Sequence, residues 1–171
     1  MTEVIDDLLP PEQFKVIQNK ILGTAFPWVF QPGINSINSY GETILTNYQF
    51  THTVMFKAQI DHYMYDMLSP LIEAINPYLL LRMKLNMTTY CGPDIIESGM
   101  HTDFEINSIP NLKTAVYYLN TNDGYTRFED TDEKVYSVEN RLVMFDGHRK
   151  HSGTNTTNEK RRIVLNINWL Y

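Results

Sequence analysis

From residue 80 onward the chain is a succession of short segments rich in branched and aromatic residues: LLLRMKLNM, TAVYYLN, KVYSVE, RLVMF and RRIVLNINWLY. Polar turns such as NTNDG and FDGHRKHSGTNTTNEK separate them. No helix-length segment lies between these runs, which favours a sandwich or jelly roll over an alternating β/α fold. In such an architecture, residues distant in sequence can meet at one mouth of the sheet pair. The expected fold is therefore mainly β, with residues 80–171 as its core.

The first half reads as support for that core. Pro10 and Pro11 precede PEQFKVIQNKIL, where Phe14, Ile17 and Ile21 recur at helical spacing and predict a helix over about 11–22. Residues 23–43 read as irregular, with aromatics such as Trp28 and Phe30 packed on the core, and ETILTNYQFTHTVM as one or two strands. Met64, Met67, Leu68, Leu71, Ile72 and Ile75 form an apolar stripe that predicts a second helix over about 61–76, which Pro70 kinks or shortens. At 171 residues the chain has the length of a single domain, 1–171, in which 1–79 supports 80–171.

Charge and cysteine content narrow the partners. With 14 basic against 20 acidic residues, the net charge of -6 gives no electrostatic reason to expect nucleic acid or an anionic membrane. The single cysteine, Cys91, excludes an intrachain disulfide and fits a reducing compartment. The opening MTEVIDDLLPPEQF lacks the basic and apolar regions of a secretory signal, and no apolar run reaches spanning length; a soluble cytoplasmic protein is expected.

Three side chains in the second half carry chemistry: His101, Asp103 and, some fifty residues later, His151. Positions i and i+2 of an extended segment point to one face, so His101 and Asp103 could share an ion. Two imidazoles and a carboxylate suit iron(II) bound on one face, although manganese, zinc and nickel accept the same donors. His151, just beyond RLVMF, is the preferred third ligand, with His148 three residues away as its competitor. His52 and His62 lie in the supporting region and read as surface or locally bonded histidines. An HxD pair alone arises easily by chance. The terminal strand adds a further constraint: Arg161, Ile163, Leu165, Ile167 and Trp169 share one face, and if that face points inward, Arg161 is a buried charge that needs an anion. On this reading Arg162 points to the opposite face, into solvent, and Asn166 and Asn168 are surface or intersheet groups. Arg82, Lys84 and Asn86 alternate on one strand and either reach the pocket or form its solvated side.

In these residues the chain resembles the iron(II)- and 2-oxoglutarate-dependent dioxygenases, above all the prolyl-hydroxylase-like branch. His101-Thr102-Asp103 is similar to the family's first ligand pair, and His151 followed by Ser152, Gly153, Asn155 and Arg161 is similar to its distal ligand and co-substrate anchor. AVYYLN places Tyr118 where the family often uses a tyrosine toward the distal carboxylate. The resemblance covers about residues 80–171 and implies a double-stranded β-helix (jelly roll, cupin-like) with N-terminal helices on its outer face. It implies iron(II) on His101, Asp103 and His151, and 2-oxoglutarate held by Arg161 and Tyr118. With O2 as second co-substrate, succinate and CO2 would form as the substrate is hydroxylated. Retention of Asp103 favours hydroxylation over halogenation. The prime substrate is left open between a prolyl or other peptidyl residue and a small metabolite, as is the oligomeric state. Two other classes compete: a metal-binding β-barrel module without turnover, and a cupin-like metalloenzyme that does not use 2-oxoglutarate.

Overall fold

A computed structural model of the chain describes residues 1–34, 48–104 and 109–171. Residues 35–43 of the stretch expected to be irregular, residues 42–47 of the expected strand segment, and residues 105–108 lie outside the described residues. In chain order the elements are β1 (Glu3–Ile5), α1 (Pro11–Leu22), β2 (Val29–Gln31), β3 (Gln49–Phe56), β4 (Gln59–Ile60), α2 (His62–Met67) and α3 (Ser69–Ile75). They continue with β5 (Leu79–Thr89), β6 (Leu112–Tyr118), β7 (Tyr125–Phe128), β8 (Lys134–Tyr136), β9 (Arg141–Asp146), β10 (His151–Gly153) and β11 (Arg161–Leu170).

Helix α1 forms where its spacing predicts, with Pro11 in its first turn, where a missing N–H costs nothing, and Phe14, Ile17 and Ile21 buried. The helix expected over 61–76 is divided in two. Asp61 caps α2 by accepting the Met64 backbone N–H at 3.1 Å, and α3 restarts at Ser69 because Pro70 cannot donate within a continuous helix. Asn76, at φ 49°, ends α3 in the left-handed conformation that asparagine tolerates.

Eight strands form one sheet in the order β1-β9-β6-β11-β5-β3-β2, with β4 paired to β3, and β10-β7-β8 form a second, three-stranded sheet. The architecture is mainly β, two sheets with N-terminal helices, as the sequence leads one to expect. Five short strands escape sequence reading, β1, β2, β4, β7 and β10, because two to four residues carry too little alternation to register as strands. Strand β11 lies at the centre, antiparallel to β5 on one side and β6 on the other.

The two faces of the large sheet have different fates. Ile163, Leu165, Ile167 and Trp169 of β11 and Met83, Leu85 and Met87 of β5 pack with Phe14, Ile17 and Ile21 of α1 and Leu71 of α3 in one apolar core. Burying each such side chain contributes about 1.5–3 kcal/mol relative to leaving it in water. On the other face a smaller cluster of Val116, Tyr118, Phe128, Val135, Val143, Phe145 and Val164 fills the space toward the second sheet. Beyond it, the remainder of that space is a cavity of about 670 Å³.

Candidate active site

Arg161 reaches the interior cavity only if the odd positions of β11 face it, and in the structure they face the other way. The odd face is the one covered by helices, and the even face, with Arg162, Val164 and Asn166, lines the cavity. The physical reason lies in the pattern itself. Four successive odd positions are large and apolar, and only the helix-covered side is apolar enough to bury them all. Arg161 accordingly leaves the cavity: its Nη2 donates to the Leu22 carbonyl at 2.5 Å, at the C-terminus of α1, where the exposed carbonyls attract a cation. Arg162, expected in solvent, is instead 4% exposed.

His101 and His151 are brought side by side by the backbone. The His101 N–H donates to the His151 carbonyl at 3.0 Å and the His151 N–H donates back at 2.9 Å, an isolated antiparallel bridge. The segment leading to His101 is held along β10 by further bonds, from the Ser98 N–H to the Gly153 carbonyl at 2.8 Å and from the Asn155 N–H to the Ile96 carbonyl at 3.1 Å. Asn155 also accepts the Ile96 N–H through its side chain at 2.7 Å. Glu97 fastens the same segment from outside: it accepts from Arg127 Nη2 at 2.5 Å and from Ser152 Oγ at 2.8 Å. These contacts hold the Glu97 carboxyl below its ordinary pKa, the Arg127 bonds most of all.

The ligand atoms of His101, Asp103 and His151 all lie within 4.8 Å of one another. Each imidazole turns Nδ1 to a backbone carbonyl, His101 to Gly99 at 3.1 Å and His151 to Arg149 at 3.2 Å. With the proton on Nδ1, each Nε2 carries the lone pair a metal requires. Asp103 accepts from Arg82 Nη2 at 3.2 Å through one oxygen and from Asn168 Nδ2 at 2.8 Å through the other. Burial opposes its ionisation, but the charges of Arg82, His151 and His101 and the Asn168 bond outweigh it, so its pKa is lowered. Burial likewise lowers the pKa of His151 and favours the neutral form that binds metal. Two nitrogen donors and one oxygen donor so disposed fit a divalent transition metal. His148, the competing ligand, lies outside this cluster and its Nε2 sits 2.9 Å from the Ile109 carbonyl. His52 pairs with Asp61 at 2.9 Å, and His62 opens α2.

Arg162 reaches the same cavity from the start of β11. Its Nε donates to Ser137 Oγ at 2.8 Å and its terminal nitrogens make long bonds of 3.4 Å to the Thr154 carbonyl and Thr126 Oγ1. Among the described residues it has no carboxylate partner, although burial works against its charge. Gly124 makes room for it: a Cβ there would lie 2.5 Å from Arg162 Cδ and 2.5 Å from the Asn155 carbonyl. Tyr118 lies behind Arg162, whose guanidinium stands 5.6 Å from its ring centroid. The Tyr118 hydroxyl is 2.9 Å from Thr126 Oγ1 and 3.1 Å from the Val135 carbonyl. It supports the guanidinium rather than opening onto the cavity.

Arg82, Lys84 and Asn86 line the cavity from β5, so the pocket-facing alternative for these residues holds. Asn168 is the group that sequence reasoning missed most clearly. It is fully buried between Asp103 and Thr114, bonding the latter at 2.9 Å. The signal was present in the even-position run Arg162, Asn166 and Asn168, which is too polar for a face buried in a purely apolar core.

No family model matches the chain, and no curated protein matches it. Its structure is similar to those of a viral collagen prolyl hydroxylase from Paramecium bursaria Chlorella virus-1, in complex with 2-oxoglutarate, and of a prolyl-4-hydroxylase from Pseudomonas putida. The first shares 16% identity at a TM-score of 0.60, over 99% of this chain and 96% of that one. The second shares 14% identity at a TM-score of 0.57, over 99% and 92%. The α-ketoglutarate-dependent epimerase SnoN of nogalamycin biosynthesis is similar at a TM-score of 0.66 with 10% identity, over 99% and 78%. The chain therefore shares a two-sheet, cupin-like fold with these proteins, and the likeness extends to an epimerase as well as to prolyl hydroxylases. Among the described residues, no helix is long and apolar enough to cross a membrane.

Proposed function

We propose that the chain, as one domain built on a closed double-stranded β-helix, is an iron(II)- and 2-oxoglutarate-dependent dioxygenase that hydroxylates its substrate. The observation that carries this reading is the meeting, in one cavity, of a two-histidine, one-carboxylate cluster and a buried guanidinium with no carboxylate partner among the described residues. A buried charge of that kind is costly until an anion arrives, and the planar fork of arginine suits a carboxylate.

His101, Asp103 and His151 would hold iron(II), which when bound supplies O2 activation coupled to conversion of 2-oxoglutarate to succinate and CO2. Arg162 takes the role that the sequence assigned to Arg161: it receives the distal carboxylate of 2-oxoglutarate. Tyr118 and Ser137 fix the guanidinium, and Asn168 and Arg82 fix the Asp103 carboxylate, so both ends of the co-substrate site are oriented before binding. A prolyl or other peptidyl residue and a small metabolite are the candidate substrates.

Anaerobic reconstitution with iron(II), a 2-oxoglutarate binding titration and then oxygen addition test this reading. Saturable binding followed by succinate formation is expected. Metal-loaded protein that binds no 2-oxoglutarate would refute it, and would favour a metal-binding module or an oxygenase that needs no 2-oxo acid.

A further inference from the structure

The cavity holds more positive charge than the metal and co-substrate use. Among the described residues its charged lining comprises Arg82, Lys84 and Arg162 against Glu97 and Asp103. Glu97 is neutralised from outside the cavity by Arg127, its partner at 2.5 Å. Three cations then face one carboxylate, Asp103. A divalent ion and the dianion 2-oxoglutarate cancel each other, so the excess of two positive charges survives in the loaded site.

That excess sits on β5. Arg82 and Lys84 are two positions apart and share the cavity face, opposite Asn168 and Asn166 of β11. Arg82 spends its terminal nitrogens on Asp103, in bonds of 3.2 Å to the carboxylate and 3.4 Å to the carbonyl. Its Nε is buried with no partner among the described residues. The Lys84 ammonium has no hydrogen-bond or ion-pair partner among the described residues either; burial and the neighbouring Arg82 charge work against its protonated form more than the Asp103 charge favours it. A solvated strand face would carry no such penalty. Two like charges held together in a half-buried wall are stabilised by an anion between or before them.

We propose that Lys84, flanked by Arg82, is the anion subsite for the prime substrate: the substrate is an acid whose carboxylate or phosphate group docks on Lys84 while its reacting carbon lies toward the metal ligands. The proposal rests on the dioxygenase reading and deepens it. An internal prolyl residue brings no such group, so the subsite selects against a neutral peptide and for an acidic small molecule. Arg162 and Lys84 thus divide the anions, co-substrate on the first and substrate on the second.

The test uses protein loaded with manganese(II) and saturated with 2-oxoglutarate without oxygen, and follows paramagnetic relaxation of acetate, inorganic phosphate and, as a neutral control, acetamide. Saturable relaxation of acetate or phosphate but not of acetamide is expected, and Lys84→Gln should weaken it about tenfold or more, as loss of a charge-assisted contact does. The same variant should keep its thermal midpoint and its affinity for 2-oxoglutarate. Stronger binding of acetate points to a carboxylic acid substrate, stronger binding of phosphate to a phosphorylated one. Anions relaxed no more than acetamide, or equally in Lys84→Gln, would overturn the proposal. So would loss of 2-oxoglutarate affinity in that variant, which would make Lys84 the co-substrate anchor. Wild type that binds no 2-oxoglutarate would instead remove the dioxygenase reading, a separate outcome.

Discussion

The two faces of β11 come from one ten-residue run, yet they have opposite physical characters. The odd face is four large apolar side chains pressed on helices, and the even face is an arginine, a valine and an asparagine lining a cavity, with Asn168 buried beside Asp103. The first contributes to the core, and the second contributes to the candidate site. On the polar face Asn168 donates to Asp103, and Arg162 is buried with no carboxylate partner among the described residues, which is why it is the proposed anchor.

Substitutions that separate these faces should separate stability from binding. Leu165→Ala, on the odd face, leaves a cavity under α1 and should cost about 2–5 kcal/mol by chemical denaturation, with 2-oxoglutarate affinity kept in the fraction that remains folded. Arg162→Gln should do the reverse. Losing one partner of a buried charge pair costs about 2–4 kcal/mol of 2-oxoglutarate binding, read by calorimetry, while the apo fold keeps its midpoint or gains because an uncompensated charge is gone.

Smaller effects sharpen the same contrast. Asn168→Ala should lower metal affinity about 10–100-fold by freeing the Asp103 carboxylate, measured by competition with a chelating dye, with a smaller cost in stability than Leu165→Ala. Glu97 supplies a pH test. Its folded pKa lies below the ordinary 4.5, so its ion pair stabilises the fold fully above that value, and the contribution is lost as pH falls through the lowered folded value. Glu97→Gln should therefore be less stable than wild type at neutral pH, with the difference closing in acid denaturation below about pH 4.5. Arg161→Gln should be the mildest change, about 1 kcal/mol or less for a helix C-terminal contact, with no effect on the co-substrate.

How the sequence could show one face and conceal the other follows from these residues. Alternation is local, so the parity of β11 and the apolar stripe of α1 were legible, as was the break that Pro70 imposes near Ser69. The His101, Asp103 and His151 cluster was legible because the three sit on turn-flanked segments and their donor types suit one ion. Parity says nothing about which side the helices cover, and this is a long-range fact settled by α1 and α3 packing on Ile163, Leu165, Ile167 and Trp169. Hence the sequence reading put Arg161 at the cavity, where the structure puts Arg162. Glu97 and Asn168 were hidden for a related reason: their partners are 55 and 65 residues away.

If the even face of β11 completes a co-substrate site with His101, Asp103 and His151, anaerobic 2-oxoglutarate binding to iron(II)-loaded wild type, Arg161→Gln and Arg162→Gln should separate the two arginines. Wild type and Arg161→Gln should bind alike, and Arg162→Gln should lose affinity by about 30-fold or more, the equivalent of 2 kcal/mol. Loss in Arg161→Gln with retention in Arg162→Gln, or no binding by any of the three, would contradict the account.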